Sequence, residues 1–425
     1  MAYLLGSLLL AGCRGASSST EKNMENSLQW EKLPDLPGAP SPSSLPPVSA
    51  ENLAASLGVS APFAGIYHGK LWVAGGCNFP DKPVTEGGSK RYYEDIFCLD
   101  LAASTPPAAW QWAGRLPYPV AYGATVSTPE GLICIGGNNA DSSLVQVTLL
   151  TWDETTGQIE TTSLLALPAP MDNLAAAADG AKIYVAGGNV NGRPARSFLC
   201  LDRNHPEKGW QQLPDFPGAA RVQPVLAAQQ SSEGSRIYLA GGFQPILDGE
   251  APVVPTDLLA YNPQERSWTK ETELPALDFS GEELTETVAS TGRPVTRHTF
   301  TGGCCVAEGG RYLLFLGGVN YDRFLVAIDR PRQIAQAEAA ADKVALDSLQ
   351  AEAKAYMHHP VEWYRFNTSL WRYDTFTKKW NSLGAYEQLA RAGAGVVCSG
   401  KTLIVVNGEL KPGIRTPAVN RVTLP

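Results

Sequence analysis

One short unit recurs six times along this 425-residue chain: an apolar run that stops at a glycine pair in five copies and at Asn-Gly in the sixth. The copies are 71–76 (LWVAGG), 132–137 (LICIGG), 183–188 (IYVAGG), 237–242 (IYLAGG), 313–318 (LLFLGG) and 403–408 (LIVVNG). Continuous apolar runs of this length predict inner strands that are buried on both faces. The glycines allow sharp turns and a close approach of neighbouring backbone. The repeat therefore predicts one all-β array in place of the two or three domains that length alone suggests.

A second pattern follows most of the glycine pairs. A polar stretch leads to another strand, such as 95–100 or 369–374, and then to a strand that contains tryptophan, such as Trp110 or Trp380. This order resembles the kelch repeat, in which about 50 residues form one four-stranded blade of a β-propeller. The resemblance implies a six-bladed kelch-type β-propeller over residues 28–425.

The sixth unit is incomplete at its C-terminal side. After Gly408 there is room for one more strand, near 419–424, but no tryptophan strand follows. The missing piece is present at the other end of the chain, around Trp30 in 28–34. We therefore expect the N-terminal strand to close the last blade, which also removes the exposed edges of an open array.

The pattern changes between the fifth and sixth units. Ala, Glu, Asp, Lys and Gln dominate between Pro331 and Tyr356, and the apolar residues are spaced for one face of a helix. We predict a helical insertion in blade five, at 330–358, that ends before Pro360. Its role as a surface decoration or as a cap over the central channel is open.

The N-terminus is typical of a targeting segment. The apolar run that ends in Leu10-Ala11-Gly12-Cys13 is too short to span a bilayer and resembles a bacterial lipobox. The prediction is a lipoprotein-type signal peptide at 1–13, with Cys13 lipidated, followed by a serine-rich tether at 14–27. The alternative is an ordinary secretory signal with an incidental cysteine. Either way, we expect a protein exported to the periplasm or cell envelope of a bacterium.

Composition argues against several classes of function. The net charge is -8 and no run of Lys or Arg occurs, so a nucleic-acid role has no electrostatic support. The five histidines and the cysteine spacing match no metal-ligand pattern. We expect no metal and no cofactor, and mostly free, buried thiols at the seven cysteines after Cys13.

The loop 407–416 is the strongest candidate for a functional site. It places Glu409 directly after the glycine turn, with Lys411 and Arg415 nearby, and in a propeller such loops converge near one end of the channel. From the residues alone, a salt-bridged surface loop and a binding or catalytic site both remain open.

The sequence of this loop, NGELKPGIRT, resembles the signature loop of the bacterial N-acetylneuraminate epimerases, also called sialic acid mutarotases. The similarity extends to 313–320 (LLFLGGVN), to the helical insertion and to 61–65 (APFAG), and covers about 58–425. Here the signature blade comes last and the APFAG blade first. The chain therefore resembles the cyclically permuted branch of that family.

The resemblance implies interconversion of the α and β anomers of N-acetylneuraminic acid, a small acidic sugar, by cofactor-independent ring opening. It assigns Glu409 as the acid/base group and Arg415 as the ligand of the sugar's carboxylate, roles that suit a carboxyl group and a planar guanidinium. A nearby arginine lowers the pKa of a carboxyl group, so Glu409 is a useful base only if burial offsets that effect.

Further binding residues are predicted from their positions. Arg221, Arg297 and His298 precede the innermost strands of blades four and five, so they are candidates for the channel, with exposed arginines and a core histidine as the alternative. Asn78 and Asn320 follow glycine pairs and either bind sugar hydroxyls or form turns. Relatives often carry arginine before the Ala-Tyr-Gly of blade two, where this chain has Val120. This difference leaves open whether the substrate is the same as that of the relatives.

Two other functions remain as alternatives. A non-catalytic kelch propeller could bind a glycan or a protein partner. A copper-containing kelch oxidase needs two histidines and tyrosines on the axis, which the scarcity of histidine opposes.

Overall fold

The computed structural model describes residues 28–40, 48, 53–102, 109–276 and 298–425. This part of the chain is mostly β and contains six four-stranded antiparallel sheets. We number them 1 to 6 from the order of their second strands in the chain. Cys13 and Arg297 lie outside the described residues. Within these residues, none of the helices has both the length and the apolar character needed to cross a membrane.

The strands of the first three sheets follow one another along the chain. Sheet 1 contains Phe63–Tyr67, Lys70–Ala74, Asp95–Asp100 and Trp110–Arg115; sheet 2 contains Ala124–Thr128, Gly131–Ile135, Val147–Asp153 and Gln158–Ser163; sheet 3 contains Ala175–Asp179, Lys182–Ala186, Phe198–Asp202 and Gln211–Leu213.

The remaining sheets repeat this order, with one exception at the chain ends. Sheet 4 contains Val222–Ser231, Gly234–Phe243, Asp257–Asn262 and Ser267–Glu273; sheet 5 contains Gly303–Glu308, Tyr312–Gly317, Ser369–Asp374 and Lys379–Ala385; sheet 6 contains Gly395–Ser399, Thr402–Val406, Val419–Thr423 and Trp30–Leu33. In sheet 6 the N-terminal strand pairs with the C-terminal one, Trp30 opposite Val422 and Leu33 opposite Val419. The predicted pairing of the two chain ends is confirmed.

Burial falls from the second to the fourth strand in sheets 2 to 6, whereas in sheet 1 both of these strands are largely buried. In sheet 1 the strand Lys70–Ala74 is buried from Leu71 onward, as its apolar run predicts. In sheet 2 the fourth strand, Gln158–Ser163, is almost entirely exposed and carries polar side chains. The apolar runs therefore lie inside the molecule and the polar strands outside.

The core is divided among the contacts between neighbouring sheets. Six apolar clusters occur in the described residues, one for each pair of neighbours. The cluster between sheets 6 and 1 joins Leu71 and Val73 to Ile404 and Val406. The first strand of each sheet contacts the first strand of the next, and that of sheet 6 contacts that of sheet 1.

A ring of backbone hydrogen bonds joins residues at or just before the starts of these first strands. One residue from each sheet takes part, and each has a positive φ: Ala61, Tyr122, Asn173, Gln223, Gly302 and Gly393. Each N–H donates to the carbonyl of the preceding member, and the N–H of Ala61 donates to Gly393 O at 2.7 Å. We call these six residues the inner ring.

The glycine pairs fit against the neighbouring sheet. Gly75 has φ 67, and a Cβ atom there would lie 2.5 Å from the carbonyl oxygen of Val120. The next residue, Gly76, donates its N–H to that same carbonyl at 2.8 Å. A side chain at Gly75 would both strain the backbone and block this contact.

The helical insertion lies between the second and third strands of sheet 5. It comprises α1 (Tyr321–Ala339), α2 (Lys343–Tyr356) and the single-turn α3 (Val361–Tyr364). The first helix begins at Tyr321, earlier than the predicted start at 330, because the Asn320 side chain accepts a hydrogen bond from Arg323 N and caps it. Pro360 precedes α3.

Candidate functional site

The loop after the second strand of sheet 6 folds as a tight hairpin. The strands Glu409–Lys411 and Ile414–Arg415 pair, with Glu409 opposite Arg415. Gly413, at φ 87, forms the turn and donates its N–H to Glu409 Oε1 at 2.8 Å. The hairpin thus brings the two predicted reactive residues together and fixes the carboxylate from its own turn.

Glu409 and Arg415 form an ion pair. Arg415 Nη1 lies 2.9 Å from Glu409 Oε1, and the exposed fraction of the side chain is 3% for Arg415 and 23% for Glu409. The contact lacks hydrogen-bond alignment, so Arg415 Nε and Nη1 are buried without a hydrogen-bond partner in the described part of the chain. The guanidinium also lies 4.9 Å from the ring centre of Phe79. The carboxylate is reachable from solvent, whereas the guanidinium is enclosed and only partly satisfied.

Burial controls the acidity of Glu409. Desolvation raises the pKa of its carboxyl group above the usual value, and this effect exceeds the opposing influence of Arg415, the Gly413 N–H and Lys90. A carboxyl group with a raised pKa is a stronger base than an ordinary glutamate. Burial therefore outweighs the effect of Arg415 on the pKa of Glu409, which is the condition for Glu409 to be a useful base.

Residues from sheets 1 and 2 complete the surroundings of Glu409. Cys77 begins a second short hairpin, Cys77–Asn78 paired with Arg91–Tyr92, and its thiol contacts Tyr122 Oη at 3.5 Å. Lys90 Nζ lies 5.1 Å from the centre of the Tyr122 ring. Cys77 and Tyr122 both interact electrostatically with Glu409 and Arg415, which places them in the same site.

The sequence analysis did not predict Cys77, Tyr122 or Lys90 as part of the site, although the repeat pattern could have identified Cys77. Cys77 follows Gly76 as Glu409 follows Gly408, so alignment of the repeat units marks it. Tyr122 and Lys90 have no comparable signal, because their approach depends on how sheets 1 and 2 pack.

The helical insertion contacts the hairpin of sheet 6. Lys411 Nζ donates to the carbonyl of His359 at 2.6 Å and to that of Met357 at 3.5 Å. Tyr356, at the end of α2, interacts electrostatically with Glu409, and burial chiefly raises its pKa to about 12. The C-terminal part of the insertion thus lies beside the site.

Arg221 and His298 are enclosed. Arg221 is fully buried and its Nη2 donates to Asp257 at 2.6 Å, so its guanidinium is used within sheet 4. His298 is 3% exposed, packs against Phe300 and Trp371, and burial lowers its pKa to about 4. In this arrangement neither side chain is open to a ligand.

The two candidate asparagines serve the fold. Asn78 donates to Gly58 O at 2.8 Å and accepts from Tyr93 Oη at 2.7 Å. Asn320 caps α1. Val120, where relatives often have arginine, is fully buried in the apolar cluster between sheets 1 and 2. Its side chain is therefore not available to contact a substrate.

No group of three or more His, Cys, Asp or Glu side chains suited to a metal ion occurs in the described residues. The seven cysteines after Cys13 are free thiols, four of them buried.

Comparison with known proteins identifies a family whose sequence model matches nearly the whole chain, and relatives that match part of it. The sequence model of the N-acetylneuraminate epimerase family matches residues 3–159 and 165–425. N-acetylneuraminate epimerase of Haemophilus influenzae (strain PittEE) is 31% identical over 250 residues, 59% of this chain and 56% of that protein. The enzyme of the same name from Pasteurella multocida (strain Pm70) is 28% identical over 251 residues, 59% of this chain and 56% of that protein.

A solved structure described as the structure of YjhT has 26% sequence identity and a TM-score of 0.45, and the match covers 60% of this chain and 64% of that one. The match to this chain spans only 56% of the length of each of the two curated relatives above.

Proposed function

This chain belongs to the N-acetylneuraminate epimerase family, and from that premise we propose that it is a mutarotase for N-acetylneuraminic acid. The reaction interconverts the α and β anomers through the open-chain keto form. The observation that supports it best is the Glu409–Arg415 hairpin: a partly exposed carboxylate of raised pKa beside a partly satisfied guanidinium. The chemistry needs a base and an anion ligand, and this pair supplies both.

Glu409 acts as the proton acceptor. Its carboxylate removes the proton of the anomeric hydroxyl, the electron pair left on that oxygen forms the C2 carbonyl, and the bond from C2 to the ring oxygen breaks. The ring oxygen then takes up a proton, C2–C3 rotates, and the ring closes on the other face of the carbonyl. Because burial raises the pKa of Glu409, its carboxylate accepts a proton more readily than that of an ordinary glutamate, and the protonated group can then return the proton.

Arg415 orients the substrate. Its buried Nε and Nη1 have no aligned partner in the described residues, so a carboxylate that reaches them gains charge-assisted hydrogen bonds. The Phe79 ring holds the guanidinium from one face, and the ion pair with Glu409 holds it from another side. An anion bound at Arg415 would also bring the adjacent anomeric carbon close to Glu409.

We further infer that the six sheets are the blades of a closed kelch-type β-propeller. The cyclic contacts of the first strands and the inner ring of hydrogen bonds support this interpretation. A closed ring also allows the chain ends to move between blades. The order of the units, with APFAG in the first blade and the signature loop in the last, supports a cyclically permuted member of the family.

The cellular location remains a proposal from the sequence. A lipobox-like segment ending at Cys13 supports an exported, lipid-anchored enzyme of the bacterial envelope.

The proposed activity is tested by proton NMR. The α anomer is released in situ by a sialidase, and its conversion to the β anomer is followed with and without the purified protein. We expect the protein to accelerate the conversion in proportion to its concentration. Calorimetric binding of the sugar with no acceleration would favour a non-catalytic glycan-binding propeller, and neither binding nor acceleration with several sialic acids would refute the proposal.

A further inference from the structure

Tyr122 holds an unusual position in the backbone. It belongs to the inner ring and has φ 59, a conformation that is costly for a bulky side chain. Two hydrogen bonds fix it there: its N–H donates to Ala61 O at 3.2 Å, and its carbonyl accepts from Asn173 N at 2.7 Å. Two other members of the ring are glycines, so the position itself does not require an aromatic residue.

The inner ring passes directly beside Glu409. Ala392 exchanges two backbone hydrogen bonds with Glu409, at 2.7 and 2.9 Å. The next residue, Gly393, accepts from Ala61 N, and Ala61 in turn accepts from Tyr122 N. Only two ring contacts therefore separate the backbone of Tyr122 from the loop that holds Glu409.

The hydroxyl of Tyr122 is directed toward the same site. The Cys77 thiol donates to Tyr122 Oη at 3.5 Å. Two residues further along the chain, Phe79 contacts the Arg415 guanidinium. The Cys77 sulfur is also a possible acceptor of the phenol proton, but a thiol is a weak acceptor, so a ligand oxygen can displace it.

The surroundings keep Tyr122 in its neutral, donating form. Burial raises the pKa of its phenol well above the usual range, and Cys77 and Glu409 add to this effect, whereas Arg415 opposes it. The Lys90 ammonium lies over the ring face, 5.1 Å from its centre. A neutral phenol held beside the reacting group can donate a hydrogen bond to a developing negative charge.

We propose that Tyr122 is a further catalytic residue of this site, one whose hydroxyl donates a hydrogen bond to the ring oxygen of the sugar as the ring opens. This inference rests on the proposed mutarotase function. As the bond from C2 to the ring oxygen breaks, its electron pair moves to that oxygen. Tyr122 stabilises the resulting charge and stays protonated, and the proton that Glu409 removed from the anomeric hydroxyl is returned to the ring oxygen. No other reactant is needed.

The test is the substitution Tyr122→Phe, which removes only the hydroxyl and retains the ring and the backbone strain. We expect kcat for anomer interconversion to fall by roughly 10²- to 10³-fold, the usual effect of removing one such donor. KM should change by less than about threefold, because the interaction is strongest in the transition state. Tyr118→Phe is the matched control, since the Tyr118 hydroxyl pairs with Thr148 away from Glu409.

The outcomes separate this inference from the function on which it rests. An active wild type with a Tyr122→Phe variant within twofold of its kcat would overturn the role of Tyr122 and leave the mutarotase proposal intact. Loss of activity in both Tyr122→Phe and Tyr118→Phe would also overturn it, because the effect would then be structural. An inactive wild type would refute both proposals together.

Discussion

The turns that end the second strands of sheets 1 and 6 occupy equivalent places but differ in one residue. Sheet 1 has Gly75, at φ 67, and sheet 6 has Asn407, at φ 54. Gly75 has no side chain to accommodate. The side chain of Asn407 is fully buried, and neither of its polar atoms has a hydrogen-bond partner in the described residues. Sheet 6 therefore keeps backbone strain and an unsatisfied amide where sheet 1 has neither.

The hairpins that follow these turns differ in the same way. In sheet 1 the Asn78 amide is satisfied at both ends by Gly58 and Tyr93. In sheet 6, Arg415 is enclosed with two nitrogens lacking aligned partners. Buried polar groups are normally paired, and exceptions concentrate at functional sites. The turn and hairpin of sheet 6 therefore hold unsatisfied buried polar groups beside Glu409, whereas the corresponding turn and hairpin of sheet 1 have none among the described residues.

Among the changes that compare the two hairpins, the largest effect is expected from changing the guanidinium in the sheet 6 hairpin. Arg415→Lys keeps the charge but loses the planar fork. We expect kcat/KM for anomer interconversion to fall roughly 10- to 100-fold, because a hydrogen bond to a charged group contributes about 1.5–3 kcal/mol. The matched control is Arg91→Lys in the sheet 1 hairpin, which should stay within about twofold. Equal losses in both variants would contradict the distinction between the hairpins.

Exchanging the residues at the two turns tests the difference in stability. Gly75→Asn should lower the free energy of unfolding by roughly 1–3 kcal/mol, because it adds left-handed strain and a Cβ atom 2.5 Å from the carbonyl of Val120. Asn407→Gly should raise it by about 1 kcal/mol, since it removes strain and a buried unsatisfied amide. Denaturant unfolding of both variants measures the two changes. A loss of stability in Asn407→Gly would show that the amide is satisfied and would remove the basis of the comparison.

The smallest expected effect is the dependence of kcat/KM on pH. The base must be deprotonated, so kcat/KM should fall as pH is lowered through the pKa of Glu409. Because burial raises that pKa, this acid limb should lie above the 4.5 of an ordinary glutamate. The pH profile of the initial rate, corrected for the acid-catalysed background, measures the limb. A rate that stays constant down to pH 4.5 would mean that Arg415 outweighs burial.

Much of the fold was predictable because its signals are local. The apolar runs before each glycine pair marked the second strands, and the missing tryptophan strand of the last unit led to the pairing of Trp30 with Val422. The helical composition marked the insertion, although the cap at Asn320 starts it earlier. The inner ring was not predictable, since its hydrogen bonds join residues that are far apart in sequence.

The candidate site was predictable only where one short loop contains it. Glu409 and Arg415 lie in one hairpin, so their contact follows from the turn at Gly413. Arg221, like Arg415, was a candidate for binding the substrate. Its guanidinium instead donates a hydrogen bond to Asp257, which lies 36 residues away in the sequence and could not be identified as its partner from the sequence. The approach of Tyr122 to Cys77, 45 residues apart, likewise depends on packing between sheets.

The central claim is that Glu409 carries out proton transfer in the opening of the sugar ring. The most direct measurement is exchange NMR on an equilibrium mixture of the anomers with equal amounts of wild type or Glu409→Gln, whose matching circular dichroism and melting would verify the fold. We expect exchange peaks between the anomers with the wild type, and an exchange rate roughly 10²- to 10⁴-fold lower with Glu409→Gln, the range for loss of an acid/base group. Exchange at the wild-type rate in a folded Glu409→Gln protein would contradict the account.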